Sequence, residues 1–132
     1  PKESIDFNGN TGPFIQYTHA RIKSILRKAQ QSGYECKVDS SVEFDPKEIE
    51  IIKLMNQYPQ RLSDAGRIYS PAVIANYAYE LAKEFNQYYH DISILKEEDQ
   101  AVRSMRLVLI GKIAELLTKA MNILGITLPE RM

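Results

Sequence analysis

The chain has 132 residues, about the length of one domain, and its 17 basic and 17 acidic side chains cancel, which argues against a protein that coats nucleic acid without specificity. Its one cysteine, Cys36, can form neither an internal disulfide nor a metal site by itself, which fits a reducing compartment. No apolar run approaches the roughly 20 residues of a membrane span and no signal peptide is visible, so we expect a cytoplasmic protein.

The first ten residues are polar and contain an Asn8-Gly9 pair, which is a turn signal. The chain begins at Pro1 rather than at Met. We therefore expect a piece of a longer protein, in which residues 1–10 are the lead-in from a missing preceding domain. Residues 11–132 are expected to form one helical domain.

A first helix is predicted from Thr11 to Ala29. Thr11 is expected as its N-cap, and Pro13 lies in the first turn, where a missing N–H and a fixed φ cost nothing. Apolar residues at three- to four-residue spacing form one stripe that should face a core. They are Ile15, Ile22, Ile25, Leu26 and Ala29.

The neighbouring face of this helix is polar and basic. No acidic residue occurs between Asp6 and Glu35, so the helix is locally positive in a chain that is neutral overall. Its residues are Gln16, Tyr17, Ala20, Arg21, Ser24 and Lys28, with His19, Lys23 and Arg27 close by. We interpret this surface as a recognition face.

A short helix is predicted after Gly33, which is placed to end the first helix, and after a polar connection from Tyr34 to Phe44. Asp45 with Glu48 three residues later is typical of a capping box. Acidic residues in this first turn suit the positive end of the helix dipole, and we interpret them as electrostatic capping. The apolar positions that follow are Ile49, Ile51, Ile52 and Leu54.

A second short helix is expected from Arg61 to Ile68, because Tyr58-Pro59 interrupts the pattern before it. Ser70 as N-cap and Pro71 at the first helical position then open a long helix that should reach about Asp91. Its apolar stripe is Ile74, Tyr77, Ala78, Leu81, Phe85 and Tyr88.

The last helix is predicted to begin at the acids Glu97, Glu98 and Asp99, to end at Gly125, and to be followed by a tail from Ile126 to Met132. Its apolar surface is so wide that the helix should lie centrally in the bundle. That surface consists of Val102, Met105, Leu109, Ile113, Leu116, Ala120 and Leu124, flanked by Leu107, Val108, Ile110 and Leu117.

The predicted fold is therefore an all-α bundle of about five helices, three long and two short, without a convincing strand or internal repeat. Neither histidine has the spacing of a metal site, and no phosphate-binding glycine loop or nucleophile elbow occurs. This stretch is not expected to catalyse a reaction or to hold a cofactor by itself.

Three segments occur in a family's order: TGPFIQYTHARI, then YAYELAKEFNQYY from Tyr77 to Tyr89, then LGITLPERM. Together they resemble the C-terminal anticodon-binding domain, called the DALR domain, of arginyl-tRNA synthetases, which are class I enzymes. The resemblance implies a parent enzyme that uses ATP and Mg²⁺ to attach arginine to its tRNA. The HIGH and KMSKS signatures of the catalytic domain are absent from this stretch.

The resemblance implies two partners, the anticodon stem-loop of arginine tRNA and the catalytic domain of the same chain, in a protein expected to be a monomer. Proteins hold unstacked RNA bases on aromatic rings and Arg planes, and this chain has eight tyrosines. Tyr17 precedes Arg21 by four residues, so both could meet one nucleotide. Tyr88 and Tyr89 point about 100° apart on a helix, so Tyr88 should be core and Tyr89 should face outward.

By resemblance, Tyr89 and Met132 contact the anticodon loop, and the Asn86 amide could bind a base edge. Four basic residues are assigned to phosphates: Lys23, Arg27, Lys28 and Arg131. Gln16 and His19 are assigned to packing or to interdomain contact.

Two positions depart from the family, because Ser93 stands where some relatives have an aromatic residue and Thr18 stands where Ala is common. Ser93 should change how one loop base is held, and Thr18 is expected to be harmless. Two other functions stay open: the anticodon domain of a cysteinyl or methionyl enzyme, and a helical docking module that binds no RNA. In the docking case the tyrosines belong to the core, and Arg21 forms a salt bridge or an interdomain contact.

Overall fold

Five α-helices and one 3-10 turn make up the part of the chain, residues 11–132, that the computed structural model describes. The elements are α1 (Thr11–Gln31), α2 (Pro46–Met55), α3 (Tyr58–Arg67), α4 (Pro71–Asp91), the 3-10 turn Ile94–Lys96 and α5 (Gln100–Ile123). No strand occurs among these residues, so the predicted all-α bundle with three long and two short helices is confirmed. The predicted lead-in, residues 1–10, lies outside the described residues.

The three long helices α1, α4 and α5 pack against one another, and α4 also contacts α2 and α3. The stripe predicted for α1 is buried except for Leu26, which is partly buried, and the stripe predicted for α4 is buried throughout. As expected from its wide apolar surface, α5 packs against both α1 and α4. The core therefore lies between these three helices, and the polar face of α1 stays at the surface.

The first and last long helices end as their glycines predict. Gly33 and Gly125 have φ of 74° and 79°, the left-handed region that glycine adopts without a steric penalty. After α1, the Tyr34 N–H donates to the Ala29 carbonyl at 2.9 Å, which satisfies a terminal carbonyl of the helix. The same bond from Ile126 to Met121 closes α5 and sets the direction in which the tail leaves.

The predicted starts of two helices were wrong by a few residues, and the cap predicted for α1 was also wrong. α3 begins at Tyr58 with Pro59 in its first turn, because a proline is tolerated where the N–H has no helical partner, so Pro59 opens this helix rather than interrupting it. Thr11 is itself part of α1, so it is not the N-cap of this helix. α5 begins at Gln100, because the Asp99 side chain accepts from two backbone N–H groups and so acts as N-cap.

The capping box at α2 is confirmed, but Glu48 does more than cap. Glu48 is fully buried, and its carboxylate accepts from the Asp45 N–H, the Tyr88 hydroxyl and the Arg106 Nε–H at 2.7, 2.6 and 2.7 Å. Arg106 also donates to Glu97 at 3.0 Å. We call Glu48, Tyr88, Arg106 and Glu97 the Glu48 cluster. The Glu48 carboxylate joins α2 to α4 and α5 through these bonds. Its interpretation as an electrostatic cap did not predict these contacts between helices.

None of the helices in residues 11–132 is long and apolar enough to cross a membrane. Over the same residues, no group of three His, Cys, Asp or Glu side chains is placed to hold a metal ion. Cys36 is exposed in the connection between α1 and α2.

Candidate nucleic-acid interface

A cavity of about 480 Å³ lies on the polar face of α1, which we call the α1 cavity. It is lined by Tyr17, Ala20, Arg21, Ser24, Ile25, Arg27, Lys28, Tyr89, Arg131 and Met132. These side chains come from α1, from the end of α4 and from the tail. The volume is within the usual range of ligand sites, and the lining contains four basic residues and no acidic one.

The Arg21 guanidinium lies between two tyrosine rings in this cavity. Its central carbon is 5.0 Å from the centroid of Tyr17 and 5.1 Å from that of Tyr89, which is cation–π distance on both sides. Tyr89 in turn stacks on the buried ring of Phe85, with centroids 5.8 Å apart. Tyr17 is 51% exposed and Tyr89 37% exposed. The cavity therefore presents aromatic surface and a fixed cation to solvent.

A polar network behind the rings fixes Arg21. The Arg21 Nη1–H donates to Asn86 Oδ1 at 2.7 Å, and the Asn86 amide nitrogen donates to Thr18 Oγ1 and to the Ala82 carbonyl, both at 2.8 Å. The buried Thr18 hydroxyl donates to the Phe14 carbonyl at 2.8 Å. Both N–H groups of the Asn86 amide are thus used inside the protein.

The tail reaches the cavity because two α1 side chains hold its backbone. The His19 Nδ1–H donates to the Pro129 carbonyl at 2.7 Å, and Arg27 Nη1–H donates to the Glu130 carbonyl at 3.1 Å. Leu128 is buried in the core. Met132, by contrast, is 72% exposed at the cavity rim.

Burial lowers the pKa of His19 below its ordinary value, because desolvation disfavours the imidazolium ion, although the bond to the Pro129 carbonyl acts in the opposite direction. The other ring nitrogen, Nε2, accepts from the Thr118 hydroxyl at 3.0 Å. A neutral ring with its proton on Nδ1 satisfies both contacts, since a carbonyl can only accept.

The cations of the α1 cavity differ from those elsewhere. Within residues 11–132, ion pairs involve basic residues outside α1, such as Lys47 with Glu84 and Arg106 with Glu48, and none involves a basic residue of α1 or Arg131. Arg21 bonds to a neutral amide and to the Tyr17 hydroxyl, at 3.2 Å in the second case. The positive charge of this surface is therefore not neutralised by the described part of the protein.

Residues 15–132 match the model of the DALR anticodon binding domain. The chain belongs to this family. Arginine–tRNA ligases of Porphyromonas gingivalis and Bacteroides thetaiotaomicron are each 51% identical over 134 residues, and that of Flavobacterium psychrophilum is 50% identical over 132. Each alignment covers 100% of this chain and 22% of the relative, so the chain spans about a fifth of the relatives' length.

The fold is also that of solved synthetases. Arginyl-tRNA synthetase of Thermus thermophilus superposes with a TM-score of 0.83 at 32% identity, over 96% of this chain and 22% of that one. A putative arginyl-tRNA synthetase of Campylobacter jejuni has a TM-score of 0.81 at 20% identity, over 96% and 28%, which shows a shared fold. The predicted family is thereby confirmed.

Most of the residues singled out from the sequence lie together in this DALR domain. Tyr17, Arg21, Arg27, Lys28, Tyr89, Arg131 and Met132 line the cavity, and Asn86 lies directly behind Arg21. Lys23 and Gln16 are partly exposed on α1 but do not line it, and His19 contacts the tail. Tyr88 is fully buried and Tyr89 is not, as their angular separation on a helix predicts.

The sequence interpretation missed Thr18. The sequence predicts that this departure from the family is harmless, and the structure adds that the Thr18 hydroxyl accepts from the Asn86 amide that holds Arg21. The available signal was a hydroxyl on the apolar stripe of α1, where Thr18 lies between Ile25 and Ala29 in helical projection and is fully buried. Ser93 lines a second cavity of about 560 Å³, which shares Arg21 and Tyr89 with the α1 cavity and is also lined by Asn86.

Proposed function

We propose that this DALR domain is the anticodon-binding domain of an arginine–tRNA ligase, and that the α1 cavity receives bases from the anticodon loop of arginine tRNA. The observation that carries the proposal is Arg21, fixed between the exposed rings of Tyr17 and Tyr89 and without an acidic partner in residues 11–132. A purely structural arginine would gain from an ion pair, whereas a ligand-binding arginine keeps its charge for the ligand.

The residues would divide the work between bases and backbone. Tyr17 and Tyr89 offer rings on which a splayed loop base can stack, and each stacked base contributes roughly 1–3 kcal/mol. Met132 at the rim offers a polarisable side chain that can lie against the same base. Arg27, Lys28 and Arg131, with Lys23 beside them, would meet phosphates, which position the RNA without reading its sequence.

We propose for Asn86 a different role from the base contact expected at first. Its amide donates to Thr18 and Ala82 and accepts from Arg21, so both donors are already used. Asn86 would act on RNA indirectly, because it holds the Arg21 guanidinium between the rings of Tyr17 and Tyr89. Only the second lone pair of its oxygen would be free for another contact.

The parent enzyme is proposed to activate arginine with ATP and Mg²⁺ in the rest of its chain and to join it to tRNA. This domain would bind the anticodon end and so hold the acceptor end at the distant catalytic site. We further propose a cytoplasmic monomer in which the catalytic domain is the partner within the chain. Within residues 11–132, the basic residues of α1 form no ion pair with an acidic residue, which supports a nucleic-acid partner over a docking module.

The test is a fluorescence titration with an arginine anticodon hairpin, whose middle anticodon base is cytosine, and with the same hairpin carrying uracil there. We expect tighter binding to the cytosine hairpin, and we expect this preference to survive an increase from low to moderate salt. Equal binding that salt abolishes would mean a basic patch without base recognition. Absence of binding to either hairpin would contradict the proposal and favour the docking module.

A further inference from the structure

The tail is an irregular segment whose last residues form one wall of the α1 cavity. It leaves α5 after Gly125 and has no helix of its own. Leu128 anchors it in the core, but Arg131 and Met132 are both exposed. Their position therefore depends on what holds the backbone immediately before them.

Two side-chain bonds hold that backbone within the described residues, from His19 to the Pro129 carbonyl and from Arg27 to the Glu130 carbonyl. The two hydrogen bonds differ in length and in exposure to solvent. His19 is 4% exposed and its bond is 2.7 Å long, whereas the Arg27 bond is 3.1 Å long and exposed to solvent. Because the part-buried His19 bond competes less with water than the exposed Arg27 bond, the His19 contact should be the stronger of the two.

The Pro129 carbonyl can only accept, so it requires the proton of His19 on Nδ1, and a third side chain is compatible with that tautomer. Thr118 on α5 lies 3.0 Å from Nε2, and its hydroxyl donates there when the ring proton is on Nδ1. The imidazole thus connects α5, α1 and the tail, and each polar atom of the ring has a partner. A ring protonated on Nε2 alone would leave Nδ1 facing the Pro129 carbonyl with no proton to donate.

We propose that His19 is a positioning residue for RNA recognition: as a neutral Nδ1–H ring whose Nε2 accepts from Thr118, it holds the tail so that Arg131 and Met132 close the α1 cavity. The inference rests on the proposed function of that cavity. It makes His19 a residue that acts on RNA without contacting it, since His19 does not line the cavity. The lowered pKa of His19, caused first by burial, agrees with a neutral ring.

The test compares two substitutions that differ in which ring nitrogen they imitate. The amide nitrogen of an asparagine lies as many bonds from Cα as Nδ1 does, and that of a glutamine as many as Nε2. His19→Asn should therefore keep the donor to Pro129 in part, whereas His19→Gln should lose it. We expect His19→Gln to weaken binding of the cytosine hairpin about tenfold and His19→Asn less, about threefold.

A double-mutant cycle then asks whether His19 acts through the tail. In the background Arg131→Ala/Met132→Ala, the cavity wall is already absent, so His19→Gln should weaken hairpin binding further by less than about twofold. Thr118→Val, which keeps the shape but removes the hydroxyl, should weaken binding in the same direction as His19→Gln. Thr118→Ser keeps the hydroxyl and serves as its control.

Amide hydrogen exchange without RNA supplies the readout that the proposed function cannot influence. His19→Gln should speed exchange in residues 126–132 while α4 keeps its protection. Faster tail exchange together with no cytosine preference in any variant would contradict the proposed function but not the tail contact. Unchanged tail exchange, or an equal loss of binding in the Arg131→Ala/Met132→Ala background, would overturn the inference.

Discussion

Tyr88 and Tyr89 are neighbours in α4, yet they belong to two regions with opposite design. Tyr88 is fully buried and donates to Glu48, in a cluster in which the carboxylate also accepts from Arg106. Tyr89 is exposed at the α1 cavity, against an arginine that has no acidic partner in residues 11–132. In the first region the tyrosine and the arginine both bind a carboxylate of the protein. In the second region a tyrosine and an arginine stay partly exposed, where a ligand can reach them.

The two regions differ in what stabilises the charged group, which is the protein in one case and water in the other. In the Glu48 cluster the carboxylate is removed from water, so the protein itself must supply every partner. Around Arg21 the charge remains partly in water, so the protein can leave it unpaired until an anion or a base arrives. Mutations in the first region should therefore act on stability, and those in the second on binding.

The largest expected effect is in the Glu48 cluster. Glu48→Gln keeps the side-chain shape but leaves Arg106, which is 13% exposed, without its buried counter-charge. We expect a loss of about 3 kcal/mol in the free energy of unfolding, measured by urea titration. Glu50→Gln is the control: Glu50 is an exposed glutamate in the same helix, 68% accessible, and should cost less than about 0.5 kcal/mol.

For Glu48→Gln, the affinity of the folded fraction for the cytosine hairpin should be unchanged. A loss of binding by that fraction would mean that the two regions are coupled, and that the Glu48 cluster acts on binding as well as on stability.

The second effect should appear in binding instead. Tyr17→Ala and Tyr89→Ala each remove one ring beside Arg21, and we expect each to weaken hairpin binding about tenfold and both together about a hundredfold. Tyr17→Ala should barely change the urea midpoint, because half of that side chain is already in water. Tyr69→Ala, which removes a ring that is 92% exposed outside the cavity, is the matched control and should bind normally.

If the two cavity variants instead lost several kcal/mol of stability with no specific loss of binding, the rings would be core residues. The α1 face would then resemble the Glu48 region rather than contrast with it.

A smaller effect is expected from the network behind Arg21. Asn86→Ala removes the amide that orients the guanidinium, and we expect about fivefold weaker hairpin binding with a stability loss of about 1 kcal/mol. Thr18→Val keeps the side-chain shape and removes only the acceptor for Asn86, so it should show part of the same loss. Unchanged affinity in Asn86→Ala would show that the two rings hold Arg21 without help.

The smallest effect is a pH dependence. Burial holds the pKa of His19 below its ordinary value of 6.5, so on acidification the unfolded chain takes up this proton before the folded protein does. His19 therefore contributes stability that is fully present above about pH 6.5 and is lost as pH falls below it toward the folded pKa. Lys23 and Glu130 also act on this ring, in opposite directions.

Urea unfolding of the wild type and of His19→Gln between pH 7.5 and 5.5 measures this term. The wild type should lose more stability than the variant over that interval. A parallel loss in both proteins would assign the pH dependence to other groups.

The helices and their faces could be predicted from the sequence, because helical periodicity and capping residues are local signals. The stripes of α1 and α4, the glycines that end α1 and α5, and the opposite environments of Tyr88 and Tyr89 all follow from 3.6-residue spacing. The three segments that resemble DALR domains pointed to the family, and the match over residues 15–132 confirmed it. The helix starts were less certain, as the proline that opens α3 illustrates.

Which side chains meet could not be predicted from the sequence, because it depends on the packing of distant segments. Arg21 and Asn86 are 65 positions apart in the chain, and His19 and Pro129 are 110 apart, so no local pattern connects them. Local spacing likewise placed Glu48 in a cap but did not show that Tyr88 and Arg106 enclose its carboxylate. Such contacts depend on how whole helices pack. Because of that packing, the capping residue Glu48 is a buried charge and His19 of α1 contacts the tail.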